Sequence, residues 1–121
     1  MTISFLPDAH WNDDLPLAEE LEIVFSHNSN AVVMVDDFRV PGDSGYGYDD
    51  YGPSKSLQQS YISPVLEAHN LAALYPTLPS EDETGLKRGC VVLARETEWA
   101  ARLLATGLLR RAELEVSRSI Q

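Results

Sequence analysis

The chain has 121 residues, 44% of them hydrophobic, and carries a formal net charge of −10. That length sets a single domain, residues 1–121, with a modest core, and the apolar content excludes a disordered chain. The negative surface argues against nucleic acid and anionic lipid as partners but leaves cations open.

Cys90 is the sole cysteine, so no intrachain disulfide forms, which accords with a reducing cytoplasm. No apolar run approaches the ~20 residues of a membrane span. Met1-Thr2-Ile3 lacks the basic start of a signal peptide, so a cytoplasmic protein is expected.

Residues 3–6 read as a short strand stopped by Pro7. Asp13 or Asp14 caps a following helix with Pro16 in its first turn. Leu17, Leu21, Val24 and Phe25 fall on one face of that helix, with Glu19, Glu20 and Glu22 opposite. Residues 31–35 are a continuous apolar, β-branched run, the mark of a strand covered on both faces. Strand, helix, strand predicts a βαβ unit with parallel strands. Residues 39–54 form a long loop rich in glycine, proline and tyrosine. A helix over residues 56–69 follows, kinked or split at Pro64. Residues 71–75 and 89–94 read as two strands joined as an antiparallel hairpin. Residues 97–117 read as one long helix with Trp99, Leu103, Leu104 and Leu108 as its stripe. The predicted order is β-α-β-α-β-β-α: an α/β, three-layer, Rossmann-like half-domain with two parallel strands and a terminal antiparallel hairpin.

Ligands of parallel α/β sheets sit at the carboxyl ends of the strands. Asp8 follows the first strand and Asp36-Asp37 closes the second, so neighbouring strands about 4.8 Å apart would bring the three together. Such a set of carboxylates suits Mg²⁺. Asp8, Asp36 and Asp37 are the candidate metal ligands, with His10 beside them either supporting a ligand or facing substrate. The same aspartates also serve as turn and cap residues, which is the alternative. Tyr46 and Tyr48, within Gly45-Tyr46-Gly47-Tyr48, either cover a planar or sugar-like ligand or pack back on the domain. Cys90 reads as a small buried hydrophobe, His69 as a helix C-terminal residue, and Arg110-Arg111 as a solvated helix face. No P-loop, GxSxG, HExxH or CxxC occurs.

Asp8-Ala9-His10-Trp11, a helix, and then Ala31-Val32-Val33-Met34-Val35-Asp36-Asp37-Phe38 resemble the second half of class I S-adenosylmethionine-dependent methyltransferases. The nearest likeness is to metal-dependent O-methyltransferases of the macrocin and catechol O-methyltransferase type. The resemblance implies Mg²⁺ held by Asp8, Asp36 and Asp37, a small-molecule acceptor, and a terminal hairpin. It also marks a departure. The family's glycine-rich loop and ribose-binding acid are not found, since Gly45-Tyr46-Gly47 follows the acidic pair. The S-adenosylmethionine site is therefore expected to be absent. Three functions follow: a truncated or split methyltransferase half, inactive alone; a non-catalytic dimeric α/β binding or interaction module; or a small independent metal enzyme. With the other half missing, the strand at residues 3–6 becomes a free edge, and a homodimer through that edge is expected.

Overall fold

A computed structural model describes residues 2–6, 17–28, 30–50, 56–85 and 87–112. Its elements are β1 (Thr2–Leu6), α1 (Leu17–His27), β2 (Ala31–Asp36), α2 (Gln59–His69), β3 (Leu71–Pro76), a short 3₁₀ turn (Ser80–Asp82), β4 (Cys90–Arg95), α3 (Glu98–Ala105) and β5 (Leu109–Arg111). Asp8, His10, Trp11, the cap at Asp13 or Asp14, and Pro16 lie outside the described residues.

The strands form one sheet in the order β1-β2-β4-β3-β5. β1 and β2 run parallel, with Leu6 opposite Val35. The other three ladders, β2 with β4, β4 with β3 and β3 with β5, are antiparallel. The expected three-layer, Rossmann-like half-domain is therefore corrected: the sheet is mixed and mostly antiparallel. The cause lies in the connections. The connection from β3 to β4 reverses the chain, as the expected hairpin required, and β4 inserts between β3 and β2, antiparallel to both. β4 then takes the central place because Val91, Val92, Leu93 and Ala94 are all buried, leaving no solvent face.

The long terminal helix is corrected as well. α3 ends at Ala105, and Gly107 takes a left-handed φ of 78° just beyond it. Glycine adopts that conformation without steric cost and stops helices there. Leu109, Arg110 and Arg111 then pair with β3 as a fifth strand. Arg110-Arg111 are thus strand residues rather than a helix face. Arg111 grips both oxygens of Glu96, at 2.6 and 2.9 Å, and Arg110 donates to the Pro41 carbonyl at 2.9 Å.

Apolar side chains pack both faces of the sheet. On one face Leu17, Leu21 and Phe25 of α1 and Ile62, Val65 and Leu66 of α2 pack with Ala31, Val33, Val35, Val91 and Leu93. On the other, Trp99, Ala100, Leu103 and Leu104 of α3 meet Val32, Ala72, Leu74, Val92 and Ala94. Alternation along β2 sends Val33 and Val32 to opposite faces, as strand geometry requires. Each fully buried Val or Leu contributes about 1.5–3 kcal/mol relative to exposure. His69, the last residue of α2, is hydrogen-bonded to Glu22 of α1 and tilts against Phe25. α2 runs unbroken through Pro64, which is exposed. No helix among the described residues is long and apolar enough to cross a membrane.

Candidate functional site

The parallel β1–β2 pair fixes one rim of the sheet. Leu6 ends β1 opposite Val35, one residue before Asp36. Asp36 is half-buried, and burial, followed by the charge of Asp37, pushes its carboxyl above the ordinary range. Asp37 leaves the strand with φ 58°, a left-handed conformation that aspartate tolerates better than most residues. No positively charged side chain pairs with Asp36 among the described residues.

Arg88 answers the charge of Asp37. Its Nε donates to Asp37 Oδ1 at 2.8 Å, and its second arm pairs with Asp49 Oδ1. The backbone sews the same place shut. Gly47 N–H donates to the Lys87 carbonyl at 2.7 Å, Gly89 N–H to Gly47 at 2.8 Å, and Asp49 N–H to Asp37 at 2.9 Å. Phe38 N–H donates to the Gly89 carbonyl at 3.1 Å. Gly89 is required here: a Cβ would lie 2.1 Å from the Phe38 oxygen. The tyrosine loop is therefore a fixed wall beside the acidic rim, not a loose strap.

Within that wall Tyr46 is buried and its hydroxyl donates to the Leu78 carbonyl at 2.6 Å. Burial, then the nearby charges of Glu83 and Asp43, raises its phenol pKa. Tyr48 is half-buried. The two rings, with Arg39, Val40 and Asp43, line a cleft of about 300 Å³. Asp43 is pinned. Its Oδ1 accepts from Ser80 Oγ at 2.6 Å and Gly45 N–H at 3.1 Å, and its Oδ2 accepts from Ser80 N–H at 2.8 Å.

The structure thus brings Tyr46 and Tyr48 to one cleft and places Asp36 and Asp37 at the β2 end, while Asp8 and His10 lie outside the described residues. Among the described residues no group of three His, Cys, Asp or Glu side chains could hold a metal ion. Cys90 is half-buried in β4 opposite Asp36, and burial raises its thiol pKa. Arg88 and Ser80 were not foreseeable as site residues, since they lie 51 and 37 positions from their aspartate partners. Compared with family models, curated proteins and solved structures, the chain matches none.

Proposed function

We propose that this rim is the acceptor side of an S-adenosylmethionine-dependent O-methyl-transfer site, with the methyl donor gripped by residues other than these. The observation that carries the reading is the parallel register of β1 and β2. It brings the chain out of β1 beside the acidic pair, two residues before Asp8. A cleft lined by two tyrosines opens in the adjoining loop.

The donor set suits a hard cation. Asp36 has no cation partner among the described residues, and Oδ2 of Asp37 accepts no hydrogen bond there, Arg88 being on Oδ1. Asp8, Asp36 and Asp37 would hold Mg²⁺, which supplies Lewis-acid activation of an acceptor hydroxyl when bound. Arg88 keeps Asp37 and Asp49 in place, and the stitched loop holds the tyrosine wall against the rim. Thermal melting tests the reading. Mg²⁺ at millimolar concentration raises the melting temperature, Asp36→Asn abolishes that rise, and S-adenosylmethionine alone changes nothing. A melting curve blind to Mg²⁺ removes the metal, and a shift with S-adenosylmethionine alone removes the claim that its grip lies elsewhere.

The Arg88 bridge favours a second reading, a non-catalytic α/β interaction module in which the acidic pair is a structural joint. In both readings we propose that β1, terminal in the strand order, pairs edge to edge with a second copy.

A further inference from the structure

We propose that the cleft beside the rim binds a planar organic anion, a flat ring bearing a carboxylate, with Arg39 as its anchor. The inference rests on reading this end of the sheet as the acceptor side and names the class of molecule received there.

The charges in the cleft decide its preference. Asp43 lines it and stays ionised, its oxygens accepting from Ser80 and Gly45, and the nearby Arg110 guanidinium sets a positive charge against it. Arg110 is itself committed to the Pro41 carbonyl. Arg39 is exposed, lines the cleft, and pairs with no carboxylate among the described residues. In a chain of net charge −10, acidic partners are abundant, so a guanidinium left unpaired at a cleft mouth is notable. Guanidinium recognises carboxylate through two parallel hydrogen bonds. The walls fix the rest of the ligand. Tyr46 spends its hydroxyl on Leu78, and Tyr46 and Tyr48 together line the cleft with aromatic side chains against which a flat ring can lie. About 300 Å³ lies at the small end of ligand pockets and fits a single substituted ring.

The test is an NMR titration of the full chain in metal-free buffer with benzoate, benzamide and acetate. Benzoate shifts the amides of residues 39–48 saturably, and benzamide binds at least tenfold more weakly. Arg39→Gln abolishes that preference while leaving spectral dispersion intact. Tyr48→Leu weakens benzoate and leaves acetate unchanged. Equal binding of benzoate and benzamide, no saturable shift, or an undiminished preference in Arg39→Gln overturns the inference. Mg²⁺ is added to the same sample last. Benzoate binding without any Mg²⁺ response at Asp36 overturns the metal reading alone and upholds the anion site.

Discussion

Asp37 and Arg88 stand 51 positions apart in the chain and 2.8 Å apart in space. That contact explains how a strand can end on adjacent carboxylates: one is answered by a guanidinium, and the other sits at a half-buried rim. Arg88→Leu therefore leaves Asp37 and Asp49 without their shared cation. Because Arg88 is 40% exposed, the loss is about 1 kcal/mol, read as a lower urea midpoint. An unchanged midpoint would show the bridge to be idle. Asp43 makes a pH-dependent contribution. The Ser80 hydroxyl, then the Ser80 amide, hold its carboxyl below the ordinary 3.8. Its folded pKa is depressed, so its contribution is complete above the unfolded value and disappears as pH falls through the folded one. Asp36 runs the other way. Burial raises it above 3.8, so its cost is absent in acid and appears as pH rises through the folded value. Accordingly, Asp43→Asn is less stable than the parent near pH 6, and the gap narrows as pH falls below the ordinary carboxyl value of 3.8. A gap independent of pH in denaturation curves would contradict the assignment.

At the scale of elements, α2 carries a visible flaw. Pro64 sits inside the helix without an N–H for the Ser60 carbonyl. Pro64→Ala restores that bond at an exposed position and stabilises the protein by about 2 kcal/mol, after allowing for the freer unfolded chain. No gain in the denaturation midpoint would mean that the helix has fully absorbed the proline. Elements with strong periodicity were legible. Leu17, Leu21 and Phe25 bury the face that their spacing marks, and the β-branched run at Ala31 becomes β2. The end of α3 was hidden because Leu103, Leu104 and Leu108 continue a helical spacing straight past Gly107. The stop signal was that glycine, outweighed by the leucine stripe. A three-residue strand such as β5 has too little periodicity to announce itself, and only its ladder with β3 defines it. The acidic pair was visible as a candidate site because its members are adjacent. Arg88 and Ser80 were not, because no local rule links residues dozens of positions apart.

The whole molecule is a sheet with apolar packing on both faces and two terminal strands, β1 and β5. A dimer through β1 appears in multi-angle light scattering as twice the monomer mass at micromolar concentration, and a proline placed at Ser4 reduces it to the monomer. A persistent monomer in the parent chain removes the edge-pairing proposal. Along the other axis of the molecule, the proposed ligand chemistry gathers where β1 and β2 finish. Amide shifts during a Mg²⁺ titration test it most directly. Saturable changes are expected at Asp36, Asp37 and Asp49, with silence at Ala31 and Leu71, where β2 and β3 begin. Weak, unsaturated shifts spread evenly over the acidic surface would contradict it.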